Sequence, residues 1–464
     1  MSKFGVTALA AFLATAGAQA ETFSLKEALA TAYETNPQLD AQRAALRATD
    51  ENVAQANANW RPTINFQGSY GYQRTMIGGL RGLPPTEEAQ IGLGPDDTNH
   101  PTNGQIVLTE PLFRGGRTWA EIGKAKSQVR AGVAELANIE EGVLLDAVTA
   151  YMDVVRDAAT VKLRQNNVAV LQKQLDATQE QFKVGELTRT DVAQSQARLA
   201  GAQADLTQAT GQLQISRSNF EHFVGRPALV LEDHPATPAL PGSEEAASDG
   251  ALALNPAVIV AKENERAADY AVDDAVGALM PQFSVQGQYQ YAHNQPETEF
   301  GIGNNTHVTA VTGQLTIPLY QGGAEDAAVR QAKQLDAQAK LNIADSQRQA
   351  VDATRTAWQS YISAVASITS NKAQLDANTV ALEGVRREQQ VGSRTVLDVL
   401  NAEQELLNSQ VSVVTSERNA EVAAYQVLSA IGKLTARDLA LPVKLYDPKE
   451  YYDDNAGRWF GFGD

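Results

Sequence analysis

Pro318 to Gly323 reads PLYQGG, and 207 residues earlier Pro111 to Gly116 reads PLFRGG. The agreement extends in both directions. Toward the C-terminus Val184-Gly185 matches Val391-Gly392, Asp191 matches Asp398 and Gly225 matches Gly432, all at the same spacing of 207. Toward the N-terminus Asn36-Pro37 matches Asn255-Pro256, Pro62 matches Pro281, Gln67-Gly68 matches Gln286-Gly287, and Tyr70 and Tyr72 match Tyr289 and Tyr291, now at 219. One deletion of 12 residues between Tyr291 and Pro318 reconciles the two spacings. A fixed internal period marks a unit that cannot bury its apolar face alone and stacks on a copy of itself. This period is far longer than that of a solenoid, so the reading is a duplicated half-protomer. The chain divides into a leader at 1–20, a first repeat at 21–242, a second repeat at 243–440 and a tail at 441–464.

The leader has the form of a secretory signal. Lys3 is its only charge, Phe4 to Ala18 are small or apolar, and Ala18-Gln19-Ala20 supplies a small-x-small cleavage site before Glu21. The apolar run is too short to span a membrane as a helix. The chain has no cysteine, which excludes a disulfide framework, a thiolate metal site and an acylated cysteine. The formal charge is −17, and loss of Lys3 with the leader makes it −18. Such an acidic balance argues against nucleic acid as a partner. The histidines His100, His222, His234, His293 and His307 have no metal-ligand spacing, and three of them fall in or beside expected loops, where solvated side chains are the commoner case. No Ser/His/Asp order, phosphate loop or carboxylate pair stands out. The reading is no catalytic residue, no cofactor, no metal and no enzyme.

Each repeat contains a pair of strands and a pair of very long helices. In Thr63 to Gln73, Ile64, Phe66, Tyr70 and Tyr72 share one face with Gly68, and Asn65, Gln67, Ser69 and Gln73 share the other. Phe283, Val285, Tyr289 and Tyr291 alternate in the same way with Ser284, Gln286, Gln288 and Gln290. Aromatic and amide faces at period two fit a transmembrane strand between lipid and lumen. They also fit a half-buried strand of a soluble sheet. Return strands are expected at about Thr98 to Leu112 and Asn305 to Leu319. A loop dense in turn formers, from Gly78-Gly79 to Asn99, joins the first strand pair, and its copy is 12 residues shorter.

From Thr118 to Phe182 there is no proline and little glycine, which at about 1.5 Å per residue predicts a helix of roughly 100 Å. A turn at Val184-Gly185-Glu186 reverses it. The returning helix carries Val192, Leu199, Leu206, Leu213 and Phe220 at intervals of seven, and its copy carries Val399, Leu406, Val413, Ala420 and Val427. Val168, Leu171, Leu175 and Phe182 give the outgoing helix a matching rhythm. A strict heptad keeps its seam toward a partner only in a left-handed supercoil. The heptads admit an isolated antiparallel hairpin. The small seam residues, with Ala, Ser, Thr and Gln over much of the remaining surface, suit side-by-side packing of helices into a wall.

The NP helix starts, the GxYxY strands, the PLYQGG turn and VGSRTVLDVLNAEQ (Val391 to Gln404) together resemble the TolC family of outer-membrane ducts over nearly the whole mature chain. The resemblance implies a mixed α and β fold: a homotrimer in which each chain gives four strands to a shared β-barrel in outer-membrane lipid, with the long helices forming an α-helical tunnel in the periplasm. It implies a passive exit duct for a tripartite efflux pump or a type I secretion system, met by a periplasmic adaptor protein and, through it, by an inner-membrane pump. Duplication independently gives four strands per chain, too few to close a barrel. The family pattern assigns Val184, Gly185, Val391 and Gly392 to adaptor-docking turns. It assigns Asp191 and Arg394 to a periplasmic gate closed by bonds between helices. For each, an ordinary turn or cap role is the alternative, and Asp191 is placed to cap the returning helix. Gln389 stands where the family commonly has a tyrosine, and Asn401 where it has a ring-forming aspartate; Asp398, one turn away, is the candidate replacement. These departures imply a weaker gate. A general diffusion porin or a periplasmic coiled-coil scaffold without a channel are the competing functions.

Overall fold

The computed structural model describes residues 23–76, 96–228, 230–233, 235–294 and 304–462. The expected leader, His234 and nearly all of both strand-connecting loops lie outside the described residues. The described chain forms two compact units, one of residues up to 42, 136–256 and 347–446, the other of 43–135, 257–346 and 447–462.

Repeat one begins with α1 (Leu25–Thr35), started by a capping box in which the Ser24 side chain and Glu27 satisfy each other's free backbone N–H groups. Pro37 opens α2 (Pro37–Ala58), where its missing N–H costs nothing. Then come β1 (Thr63–Tyr70), β2 (Gln73–Met76), β3 (Asp96–Asn99), β4 (Thr102–Arg114), α3 (Arg117–Lys183) and α4 (Arg189–Val224). Repeat two follows the same order with α5 (Glu244–Leu254), α6 (Pro256–Gly277), β5 (Gln282–Asn294), β6 (Asn304–Thr316), α7 (Ala324–Gln390) and α8 (Val396–Ile431). The short α9 (Pro448–Asn455) lies in the tail.

The strand unit is built on an antiparallel sheet in the order β1-β4-β5-β6. Strands of the two repeats therefore pair directly, with Gln105 opposite Gln290 and Ile106 opposite Tyr289. Amide and apolar side chains keep mostly to opposite faces of the sheet, with Phe66 opposite Ile106, Gln67 opposite Gln105 and Phe283 opposite Leu315; Val107 and Val308 are apolar side chains on the amide face, and Glu110 is a charged one on the apolar face. Three strand boundaries differ from the sequence expectation. The first strand stops at Tyr70, where Gly71 donates its N–H to the Pro101 carbonyl at 3.0 Å. The return strand is divided at His100-Pro101, since proline has no N–H to give a ladder. The last strand ends at Thr316, short of Leu319, because its partner strand β5 begins opposite at Gln282. His100 and His307 are not simply solvated; each lies against the tyrosine pair of its own repeat, Tyr70 and Tyr72 or Tyr289 and Tyr291.

Below the sheet, Val53 and Ala56 of α2 pack on Ala125 and Val129 of α3, and Tyr452 and Ala456 of the tail complete the cluster. The tail is thereby placed. Tyr451 donates to Glu51 at 2.9 Å, Asn57 donates to the Ala456 carbonyl at 2.9 Å, and Arg61 donates to the carbonyls of Gly457 and Arg458 while stacking 4.7 Å from the Trp459 ring.

In the hairpin unit most of the expected heptad positions are buried, Leu199, Leu213 and Phe220 of α4 and Val399, Val413, Ala420 and Val427 of α8, while Val192, Leu206 and Leu406 are half-buried. Fully burying a side chain such as Phe220 is worth about 1.5–3 kcal/mol. Phe182 departs from this, since the seam of α3 ends at Leu175 and Phe182 is exposed beside the turn. The repeated NP motif has a structural task. Asn36 donates to the Phe223 carbonyl at 3.4 Å and Asn255 to the Ala430 carbonyl at 2.9 Å, each tying a helix junction to the last turn of the returning helix of its repeat. Farther along, Glu141 accepts from the Leu434 N–H at 3.2 Å and Glu140 from the Ala436 N–H at 2.6 Å, fixing the chain as it leaves α8.

Candidate functional site at the hairpin tips

Each long helix pair reverses in a few residues, and the two reversals are built alike. In the first, Gly185 donates to the Phe182 carbonyl and Glu186 to the Gln181 carbonyl, both at 3.0 Å. In the second, Gly392 donates to Gln389 at 3.0 Å and Ser393 to Glu388 at 2.9 Å. Gly185 and Gly392 sit at φ +84° and +78°, a region costly for residues with a Cβ, and neither has an atom within 4 Å of where a Cβ would stand. Backbone conformation alone therefore requires these glycines, with no crowding inside the chain. Val184 and Val391 beside them are strongly exposed apolar side chains, at 73% and 80%.

Both returning helices start with a capping box. Thr188 donates its N–H and hydroxyl to the Asp191 carboxylate at 2.9 and 2.7 Å, and Thr395 does the same to Asp398 at 2.9 and 2.8 Å. These donors hold both carboxyls below the usual aspartate range, through the Thr188 hydroxyl first for Asp191 and the Thr395 N–H first for Asp398. Both are thus ionised, negative groups at helix N-termini, where the macrodipole favours them.

Within the chain Arg394 and Asp191 are not brought together. Arg394 donates its Nε–H to Glu388 at 2.9 Å, and that bond raises the guanidinium pKa further. Asp191 is engaged with its own cap. Asp398 faces Thr395 and feels the Arg394 charge only as a minor influence. Gln389 is half-buried and supplies the backbone acceptor for Gly392. Asn401 accepts from Arg198 at 2.7 Å, a bond joining the first hairpin to the second. Behind it Leu171, Leu175, Leu199 and Ala202 of the first hairpin pack with Val396 and Leu400 of the second, with Val168, Leu187 and Val192 around them. The tips of one chain therefore form a single packed block with ionised groups at its end.

Sequence reasoning missed Glu388, Arg198 and the buried Glu403, which accepts from Arg386 at 2.9 Å. Glu388 had a local signal, six residues before Arg394 across a turn. Arg198 had none, since its partner is 203 residues away. Among the described residues no group of three His, Asp or Glu side chains is arranged to hold a metal ion, and no helix is long and apolar enough to cross a membrane.

A sequence model of the outer membrane efflux protein family matches residues 28–226 and 247–433. The chain is 35% identical over 445 residues to the outer membrane efflux protein BepC of Brucella suis, covering 96% of this chain and 93% of that one. It is 23% identical over 421 residues to the outer membrane protein TolC of Vibrio cholerae, covering 90% and 92%. Its fold is similar to the crystal structure of CusC, with a TM-score of 0.76 at 15% identity over 88% of this chain and 93% of that one.

Proposed function

The chain belongs to the outer membrane efflux protein family, and from that premise we propose how it conducts. It is an outer-membrane exit duct extending into the periplasm. Three copies join their four-stranded sheets into one barrel, with the apolar face toward lipid and the amide face toward a water-filled lumen. The long helices line the periplasmic tunnel. Transport is passive, and direction comes from an inner-membrane pump reached through a periplasmic adaptor that docks on the exposed turns at Val184-Gly185 and Val391-Gly392. The tunnel narrows where the tips converge, and Arg394 exchanges between Glu388 of its own turn and Asp191 of an adjacent coil.

The observation that carries this reading is the sheet itself. It has one mainly apolar and one mainly amide face, and among the described residues each of its outer strands lacks a neighbour on one side. Unpaired strand edges are not tolerated in hydrocarbon, so membrane insertion requires closure with further copies. A coiled-coil scaffold has no need of such a sheet, and a general porin draws all its strands from one chain. The test is conductance of the purified protein in planar bilayers, with sensitivity of a deletion strain to excluded antibiotics and its secretion of proteins measured in parallel. Discrete channel openings are expected. An assembled protein that conducts no ions in any condition sinks the duct, and the deletion phenotype separates small-molecule cargo from protein cargo.

A further inference from the structure

The tail is divided by charge. Its helix α9 is acidic, with Asp447 as the cap and Glu450, Asp453 and Asp454 against a single Lys449. From Asn455 to Phe462 the only charge is Arg458, and Trp459, Phe460 and Phe462 are large aromatics. The acidic part is docked on its own chain: Tyr452 and Ala456 close the cluster of Val53, Ala56, Ala125 and Val129, and Tyr451 donates to Glu51. The aromatic part is held mainly through its backbone. Arg61 donates to the Gly457 carbonyl at 3.1 Å and the Arg458 carbonyl at 2.6 Å, and Arg458 donates its Nε–H to the Phe460 carbonyl at 3.2 Å. The rings are left outward. Trp459 meets the Arg61 guanidinium yet stays 60% exposed, Phe460 is 87% exposed and Phe462 is wholly exposed.

These rings stand at the helix-side rim of the sheet. Arg61, which clamps them, lies two residues before the start of β1. Beside it Trp60 meets the exposed Trp119, in the first turn of α3, edge-on with ring centroids 4.8 Å apart. On β5 the apolar face runs from Phe283 to Tyr291. That is about 26 Å of strand at ~3.3 Å per residue. Strand tilt lowers the height to about 20 Å, against an apolar band of about 25 Å in outer-membrane barrels. The sheet face therefore fills the band, and its near rim falls at or just below Phe283 and its cross-strand partners Phe113 and Leu315. Tryptophan favours such a rim, with its ring body at the acyl boundary and its N–H among headgroups. The carbonyls of Gly457, Arg458 and Phe460 are already satisfied by arginine, so this backbone can leave bulk water at little cost.

We propose that residues 457–462 are an interfacial anchor: the rings of Trp459, Phe460 and Phe462 insert among the phospholipids of the periplasmic leaflet, beside Trp60 and Trp119. The proposal rests on the duct reading, which sets the helix ends of the strands at the periplasmic face of the outer membrane. Continuity with the apolar sheet face selects lipid as the occupant, since the rings extend that face at its rim. The division of charge selects it as well. Acidic α9 is tied down on α2 and α3, whereas the segment that reaches outward carries only Arg458 and is backed by Arg61, positive charges of the kind that sit at phosphate height. The tail thereby fixes the C-terminus to the membrane surface and holds the α2–α3 pair at a set depth beneath the sheet.

The chain lacks cysteine, so a single introduced thiol can be labelled without background. The full chain with Phe462→Cys, carrying the environment-sensitive dye nitrobenzoxadiazole, is reconstituted in vesicles of phosphatidylethanolamine and phosphatidylglycerol. Blue-shifted emission is expected. Lipids brominated near the headgroup end of the acyl chain should quench it about twofold, and lipids brominated near the terminal methyl should quench it less, as for an interfacial group. The same dye on Lys449→Cys, on exposed acidic α9, should emit as in water and resist quenching. Water-like emission from position 462 overturns the anchor. A dye at 462 that is shielded from water yet unquenched by either lipid assigns the rings to a protein surface, in a second copy or another partner, and overturns it equally. Conductance of the same preparations separates the two readings: conducting channels with an unquenched dye reject the anchor alone, and a wild-type chain that neither inserts nor conducts rejects the duct and the anchor with it. Should the labelled variant fail to insert, Trp459→Phe in the unlabelled chain decides. It should remove tryptophan emission that brominated lipid quenches, and a loss confined to the unquenched remainder rejects the anchor.

Discussion

Arg394 is bonded to Glu388 of its own turn, and in the proposed gate it exchanges to Asp191 of an adjacent coil. Its bond to Glu388 is local and solvent-exposed, where ion pairs are weak and easily exchanged. If the proposed gate holds, replacing Arg394 with Ser and Asp191 with Ala together should raise the open probability in planar bilayers, and only moderately, since Gln389 and Asn401 depart from the family's gate pattern. Unchanged openings in a well-assembled double variant would leave both residues as ordinary turn and cap groups. Far from the tip, Glu141 offers a sharper prediction. Burial raises its pKa from 4.5 to about 8, against the opposing pull of the Leu434 N–H, with Glu140 and Asp438 adding repulsion. Below pH 4.5 the carboxyl is neutral in both folded and unfolded chains. As pH rises from there toward 8, the unfolded chain sheds a proton that the folded chain keeps, so stability falls across that window. Glu141→Gln keeps an acceptor for Leu434 and removes the slope. Its melting temperature should exceed the parent's at pH 8, by an amount corresponding to roughly 1–3 kcal/mol, with a smaller gap at pH 5. Equal gaps at the two pH values would show that Glu141 does not titrate in this window.

At the scale of the element, the hairpin tips separate two tasks that the sequence superimposes. The capping boxes start α4 and α8, and Thr188→Ala should cost about 1 kcal/mol of local helix stability, read as faster amide exchange over the first turn of α4. The glycines shape the turn, and the valines beside them face outward. A residue with a side chain at position 392 must take φ near +78°, at a cost of about 1–2 kcal/mol, yet it meets no atom of its own chain. Gly392→Glu should therefore assemble normally and fail in export, as measured by trimer yield beside antibiotic sensitivity. Loss of assembly would assign the glycine to folding alone.

For the molecule as a whole, the decisive quantity is the number of unpaired strand edges. Among the described residues the four-stranded sheet leaves β1 and β6 with an open edge each, so on the proposed reading the lone chain is not the membrane-inserted species. Outer-membrane fractions should contain a trimer that survives mild detergent and collapses to monomer on heating, since an edge-to-edge barrel is cooperative and has no covalent link. Monomer alone after gentle extraction and cross-linking would reject the shared barrel.

The sequence by itself determined everything written in short-range periodicity. Alternation at period two specified most of the strand faces, heptads specified the seams at Leu199 and Val399, and turn chemistry specified Gly185, Gly392 and a capping role for Asp191, whereas the matching cap role of Asp398 came from the structure. These patterns are legible because each is imposed by residues a few positions away. The duplication extended that legibility, since one repeat reports on the other. Only the tertiary structure decided that Arg394 rests on Glu388, that Asn401 accepts from Arg198 across 203 residues, and that Arg61 holds the tail from 397 residues away. It also ended the strands at Tyr70 and Thr316, where the partner strand or its N–H groups run out. Side-chain partners far apart in sequence depend on the path of the backbone between them, and no local period encodes that path.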